Sequence, residues 1–287
     1  MRDFIFGYGY LGCRIATRWL KQSDTVYAAT RKKENISLIK SAGLQPVILD
    51  VTEADSLQEL PEVDRVVFAV GYDRSSGKSM DQVYVQGLAN VLKSLPDSVQ
   101  HFVYVSSTGV YAQSDGGWVD ETSACLPIRP GGKACLAAEQ LIRNDDRFRQ
   151  RSTILRFAGI YGPQRVPNIE LVRQGQPIPC AEHGYLNLIH VDDAATIVDL
   201  VSHSKPNGQT FLVSDGQPVE RREFYLEVGR LLERNVQFIQ PSDDSNRRRR
   251  ADSNKRCSNQ KLVGEFHVSF QYPSYRQGLA SIVGAAG

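Results

Sequence analysis

The sequence predicts a doubly wound α/β chain, in which helices cover both faces of a parallel sheet, followed by a smaller C-terminal lobe. Three observations predict it. Short apolar runs alternate with amphipathic stretches through the first half of the chain. A glycine-spaced turn, GYGYLG at Gly7–Gly12, follows the first apolar run and opens a helical pattern. The regular alternation gives way to Gly and Pro punctuation after about Gly159.

The strand candidates are Asp3–Phe6, Thr25–Ala29, Pro46–Leu49, Arg65–Val70, His101–Val105 and Ser152–Phe157. Most are rich in Val, Ile or aromatic residues and too short for helices. Helix candidates lie between them at Tyr10–Lys21, Lys33–Ala42, Ala54–Leu60, Lys78–Leu95 and Lys133–Arg143. Six strands with such crossovers make a parallel sheet with right-handed connections. Beyond Gly159, helices are expected at Asp192–Ser202 and Glu220–Glu233, and a short strand at Thr210–Val213. The expected division is therefore 1–159 for the nucleotide-binding domain and 160–287 for a smaller substrate lobe folded onto it. No clean linker separates the two, so part of the second segment can return to the sheet.

Composition narrows the function classes. Hydrophobic residues at 41% and charged residues at 23% are ordinary for a globular chain. A net charge of +2 argues against a generalised nucleic-acid or membrane surface. No apolar run approaches the roughly 18 residues that span a bilayer. Glycines and Arg14 interrupt the apolar opening too early for a signal peptide, so a cytoplasmic protein is expected. Five cysteines without a CxxC pair fit reduced thiols, and five histidines without HExxH give no metal site. The Arg247–Arg250 run within Ser242–Arg256 reads as a solvated loop, because Asp243 and Asp244 stand beside it.

The glycine turn carries the chemistry. Gly7 permits the tight turn, Gly9 lets backbone approach a pyrophosphate, and Gly12 lets helix and strand pack closely. With Tyr8, Tyr10 and Leu11 between them, these residues present a helix N-terminus to an anion. That is the dinucleotide fingerprint of a Rossmann half-domain. Where a site for NAD usually has an acidic residue, about 20 residues on, this chain reads Arg31, Lys32 and Lys33. Arg31 suits a 2′-phosphate, so NADP(H) is expected, with NAD as the alternative. Asp50 and Val51 close the third strand, where Asp50 could meet the adenine amino group. Ala69, Val70 and Gly71 close the fourth, small enough to pass beneath the adenosine.

With these residues placed, the chain resembles the extended short-chain dehydrogenase/reductase superfamily, and within it the atypical NAD(P)-dependent epimerase/dehydratase-like group. HFVYVSSTGVYA at His101–Ala112, GKACLAAEQLI at Gly132–Ile142, ILRFAGIYGP at Ile154–Pro163 and NLIHVDDAATIV at Asn187–Val198 carry the likeness. The resemblance implies that Ser107 polarises the substrate oxygen and that Lys133 holds the nicotinamide ribose. It also implies a small-molecule substrate with a carbonyl or hydroxyl group, sugar derivatives included. A homodimer is the assembly it suggests. The catalytic tyrosine should stand four residues before Lys133, but Arg129 stands there. Arginine, with a pKa above about 12, does not give up a proton. Tyr72, Tyr104, Tyr111 and Tyr161 are other phenols of the chain; Tyr104 reads as core. A non-catalytic NADP(H)-binding sensor is therefore the competing reading. His190, Asp192 and Asp193 form either a polar cluster of the substrate lobe or a helix start capped by Asp192. Arg156, inside an apolar strand, is expected in an ion pair.

Overall fold

A computed structural model describes residues 1–240 and 253–284. The Arg247–Arg250 run lies outside the described residues. The chain divides into two compact units that interleave rather than follow one another. Unit 1 comprises Met1–Val110, Pro130–Arg156 and Ala194–Phe211; unit 2 comprises Tyr111–Arg129, Phe157–Asp193 and Leu212–Gly287. Relative to a single boundary after residue 159, segments 111–129, 157–159 and 194–211 fall on the other side.

Unit 1 is built on the central sheet. Its strands are β1 (Arg2–Phe6), β2 (Thr25–Thr30), β3 (Gln45–Ile48), β4 (Arg65–Phe68), β5 (His101–Ser107), β7 (Ser152–Phe157) and β12 (Gln209–Val213). Their spatial order is β12-β7-β5-β4-β1-β2-β3, and the pairings among β1 to β5 are parallel. Each half of the sheet winds outward from β1 and β4, so the order reverses between these two strands. A crevice opens at such a switch point, beyond the carboxyl ends of the strands. The expected strand at 210–213 is an edge strand of this sheet, a part of the second segment that returns to it. Its last two residues and the last of β7 group with unit 2.

Central strands of a parallel sheet are covered on both faces, which is why they read as nearly continuous apolar runs. Phe4, Ile5, Phe6, Val66, Val67, Phe68, Phe102 and Val103 are all buried. Helices α1 (Gly12–Trp19), α2 (Asn35–Ser41), α3 (Gly87–Ser94) and α4 (Pro130–Asn144) supply the cover. Two expected helices differ from simple α geometry. Residues 54–57 form a single 3₁₀ turn, and Gln82–Gln86, just before α3, form a π-helical turn.

Two ion pairs sit inside this core. Arg65 forks onto Asp3 at 2.8 and 2.7 Å, its guanidinium 5.0 Å from the Trp19 ring, tying β1, β4 and α1 together. Arg156 on β7 forks onto Glu139 of α4 at 2.9 and 2.7 Å, and Ser106 of β5 donates to the same carboxylate at 2.7 Å. The second arrangement explains an arginine in an apolar strand: three elements share one buried carboxylate.

In unit 2 the strands are short and paired in twos. β6 (Trp118–Val119) runs parallel to β15 (Arg256–Cys257), and β8 (Gly159–Tyr161) parallel to β11 (Leu188–His190). β9 (Ile178–Pro179) pairs with β14 (Phe238–Ile239), and β10 (Tyr185–Leu186) with β13 (Val219–Glu220). Helix α5 (Ile169–Arg173) and helix α7 (Arg221–Leu232) flank a core of Tyr161, Ile178, Leu188, Phe224, Tyr225 and Leu279. Helix α6 (Val191–Ser204) starts in unit 2 and continues into unit 1.

Glu139→Ala removes the carboxylate that Arg156 and Ser106 share. Breaking a buried pair from one side typically costs about 3–5 kcal/mol, and the urea midpoint should fall accordingly. A pH effect follows from His101, whose ring meets Thr153 and Asn207. Burial pushes its pKa from 6.5 down to about 4, Lys205 and Arg65 add to the fall, and Asn207 opposes it. The folded state therefore refuses a proton that the unfolded chain accepts. The His101 contribution is complete above about pH 6.5 and is lost as the pH falls towards 4. Urea titrations across that window should show a shallower decline of stability in His101→Gln, the difference approaching about 1.4 kcal/mol per pH unit.

Candidate functional site

A cleft of about 390 Å³ opens in unit 1 at the switch point, lined by residues from the ends of β1, β2, β3 and β4. Glycine makes its floor. Gly7 has φ +99°, and a Cβ there would fall 2.5 Å from the Ala69 carbonyl oxygen. A Cβ on Gly12 would fall 2.1 Å from the Gly7 carbonyl oxygen, so the helix can lie this close only without one. Gly9 differs: a Cβ there would meet no atom within 4 Å. Its bare backbone borders the open cleft, and a ligand can approach where a side chain would otherwise project. No side chain caps α1, and its first turn holds no acidic residue, which leaves that end electropositive.

Gly7, Tyr8 and Gly9 line the cleft, while Tyr10 and Leu11 lead into α1 behind it. Tyr10 lies under the Arg14 guanidinium at 4.5 Å, and Leu11 is buried. Ala69, Val70 and Gly71 form the opposite wall. Asp50 does not line the cleft. Its carboxylate accepts the N–H and hydroxyl of Thr52 at 2.9 and 2.8 Å, closing a local turn, and Leu49 and Val51 on either side face the cleft instead.

At the β2 end, Thr30, Arg31, Lys32 and Asn35 line the cleft. Thr30 Oγ1 accepts the Lys32 N–H and the Asn35 amide, both at 3.2 Å, which fixes the turn that presents Arg31. Arg31 is not alone. Its Nη2 lies 3.1 Å from Asp73 Oδ2, and Asp73 lines the same cleft. Hydrogen bonds from Ser75, with a smaller contribution from Arg31, hold the Asp73 carboxyl below its usual range. Sequence reading missed Asp73, since its pairing partner is 42 residues away.

Ser107 and Lys133 both belong to unit 1. The two serines at the end of β5 face opposite ways: Ser106 turns inward to Glu139, while Ser107 is half-buried and its Oγ accepts the Gly109 N–H at 3.0 Å. Lys133 is exposed on the first turn of α4. Arg129 precedes the helix, which begins at Pro130, so it does not share a helical face with Lys133.

Unit 2 holds its own polar cluster. His190 Nδ1 accepts the Asp192 N–H at 3.3 Å, so the histidine rather than Asp192 caps α6. Asp193 accepts the main-chain N–H groups of Gln271 and Tyr272 at 2.8 and 2.9 Å, and the Tyr272 ring lies 3.8 Å from that of His190. Burial pushes the Asp215 carboxyl up to about 7, with Asp193 adding to the rise. Lys255, also buried, donates to the Tyr111 carbonyl at 3.3 Å and to Ser253 Oγ at 3.1 Å; burial lowers its pKa, and Arg129 pushes the same way.

A floor of obligatory glycines at the switch point, followed by the β5 serine and the α4 lysine, agrees with the comparison to known families. The model of the NAD dependent epimerase/dehydratase family matches residues 5–214. The chain belongs to that family. Among curated relatives, protein YeeZ of Escherichia coli K12 is 26% identical, covering 94% of this chain and 95% of its own length. The solved structure of a putative NAD-dependent epimerase/dehydratase from Methylobacillus flagellatus is 29% identical, with a TM-score of 0.79 over 99% of this chain and 98% of that one. The Bordetella bronchiseptica enzyme WbmG, solved with NAD and UDP, shares the fold at 21% identity, with a TM-score of 0.81 over 99% of this chain and 94% of that one.

The glycines make separable predictions. Gly12→Ala forces a Cβ into main chain and should lower the urea midpoint by an amount typical of overpacking, about 1–3 kcal/mol. Gly9→Ala meets nothing in the fold and should leave the midpoint near wild type while weakening dinucleotide binding in calorimetry.

Proposed function

We propose that the protein is an NADP(H)-dependent oxidoreductase or epimerase/dehydratase-type enzyme acting on a small carbonyl or hydroxyl compound, sugar-derived substrates included. The observation that carries this reading is the combination of the Gly9 cradle with a cationic rim, Arg31 and Lys32, at the end of β2. The cradle fits a pyrophosphate on the α1 N-terminus, and the rim fits a 2′-phosphate. Ala69, Val70 and Gly71 would pass beneath the adenosine. Lys133 would hold the nicotinamide ribose, and Ser107, its Oγ set by the Gly109 N–H, would donate its hydroxyl proton towards a substrate oxygen. When bound, the dinucleotide supplies or accepts the hydride. WbmG, crystallised with NAD and UDP, supports a nucleotide-linked substrate within this reading. Five free cysteines suit a reducing, cytoplasmic setting.

Arg129 favours a second reading, an NADP(H)-binding sensor without turnover, because no proton leaves an arginine at this position. Turnover of a carbonyl compound that is lost in Ser107→Ala separates the two.

Calorimetric titration with NADPH and NADH tests the cofactor. NADPH should bind more tightly, and Arg31→Ala should weaken NADPH by about 10- to 100-fold while barely moving NADH, the range for a charge-assisted hydrogen bond. Asp73→Asn should act oppositely and tighten NADPH, since it releases Arg31 from a competing carboxylate. Equal affinities for the two dinucleotides, unaltered by Arg31→Ala, would overturn the NADP assignment.

A further inference from the structure

The π-helical turn before α3 contains a phenol that the sequence reading passes over. Such turns widen a helix by one residue and recur at functional sites. Here the turn Gln82–Gln86 brings the Tyr84 ring to 6.5 Å from that of Tyr72, and Tyr84 Oη accepts the Tyr72 main-chain N–H at 3.0 Å. Tyr72 lines the cleft directly after Gly71, so its main-chain N–H ties the Tyr84 phenolic oxygen to the cleft wall beyond β4. That bond occupies a lone pair of Tyr84 and leaves its O–H free to donate. Among the described residues no group accepts it.

Two other phenols of unit 1 that neighbour this place are already engaged. Tyr72 donates its hydroxyl to the Lys78 carbonyl at 3.0 Å. Tyr104 is buried and hydrogen-bonds Cys135. Tyr8 lies in the glycine turn, on the cleft wall opposite Gly71. Tyr84, by contrast, is half-buried, and its turn packs against α4, the helix of Lys133. Burial raises the Tyr84 phenol, Cys135 and Tyr72 add slightly, and the Tyr72 N–H opposes. Tyr84, Ser107 and Lys133 thus belong to one compact unit, whereas Arg129, where the phenol was expected, belongs to the other.

We propose that Tyr84 is the proton-transferring residue of this cleft, in place of the phenol that Arg129 replaces. The proposal rests on the cleft being a dinucleotide site. In the reductive direction a substrate carbonyl carbon receives a hydride from the reduced dinucleotide. The π pair of the C=O bond moves onto oxygen, and Tyr84 Oη–H supplies the proton that makes the alcohol. The resulting phenolate regains its proton from water. In the oxidative direction the phenolate removes the hydroxyl proton as the hydride leaves carbon.

The test needs no known substrate. Wild type, Tyr84→Phe and Tyr104→Phe are titrated from neutral to alkaline pH by tyrosinate ultraviolet absorbance, with and without saturating NADP⁺, while calorimetry follows cofactor binding. Tyr84→Phe keeps the ring and its packing, and Tyr104→Phe controls for a buried phenol. The cationic nicotinamide should lower the ionisation of one phenol by about 1 pH unit or more. The shift should appear in wild type and Tyr104→Phe and vanish in Tyr84→Phe, with cofactor affinity retained. A shift that survives in Tyr84→Phe, or none in cofactor-loaded wild type, overturns the proposal. Failure of wild type to bind either dinucleotide overturns the reading of the cleft instead. With NADPH and a panel of aldehydes and ketones, Tyr84→Phe should cut kcat by about 100-fold or more; an unchanged kcat also overturns it.

Discussion

Two missing methyl groups hold the nucleotide-binding unit in its shape. The carbonyl of Gly7 lies where a Cβ of Gly12 would be, and the carbonyl of Ala69 lies where a Cβ of Gly7 would be. Strand β1, helix α1 and the end of β4 are therefore pressed together through main chain alone. The consequences run outward. The α1 N-terminus is brought to the carboxyl edge of the sheet, the β4 wall is set opposite it, and the switch point becomes a cleft rather than a packed seam. Gly9, under no such steric demand, leaves the space that the other two enclose. Structure requires two of the glycines, and the third keeps the cleft open.

The buried carboxylates act at the other ends of the same elements. Asp3 with Arg65 fixes β1 against β4 near their amino ends, away from the cleft. Glu139, shared by Arg156 and Ser106, fixes α4 against β5 and β7. Such pairs are not a cheap source of stability, because desolvation offsets most of their attraction. What they supply is register. With Ser106 turned inward to Glu139, the alternation of a strand points Ser107 the other way, so a buried structural contact orients the hydroxyl proposed to meet the substrate.

How much of this was legible follows from the distances along the chain over which each feature is built. The glycine turn is local, six residues between a strand and a helix, and its geometry could be read from GYGYLG directly. The strands of the sheet were legible because burial on both faces makes them continuously apolar. The place of β12 was not: a five-residue strand carries no mark of which sheet it joins, and it pairs with β7 some 50 residues upstream in the chain. Asp73 lay beyond reach for the same reason, as did the capping of α6 by His190, where an acidic residue is the ordinary cap. Strand position alone could not reveal that Asp50 also closes a local turn with Thr52. Tyr84 was hidden by helix periodicity, since a π turn shifts every following side chain and nothing in QVYVQ announces it.

In the NADP(H) reading proposed for this cleft, the Arg31–Asp73 pair is what discriminates between the two dinucleotides. Both side chains are about 39% exposed, so in solvent the pair contributes little to the fold. Its consequence lies in the reference state for binding. A 2′-phosphate must be preferred by Arg31 over an anion already held there, whereas a ribose hydroxyl offers the guanidinium only a neutral acceptor. A nucleotide without the phosphate leaves the ion pair standing, and one with it must break the pair and replace it with a stronger, charge-assisted contact. Selectivity then arises as a difference between two partners for one guanidinium. In that reading Asp73, held as an anion by the hydroxyl and N–H of Ser75, would set the level that the phosphate has to exceed.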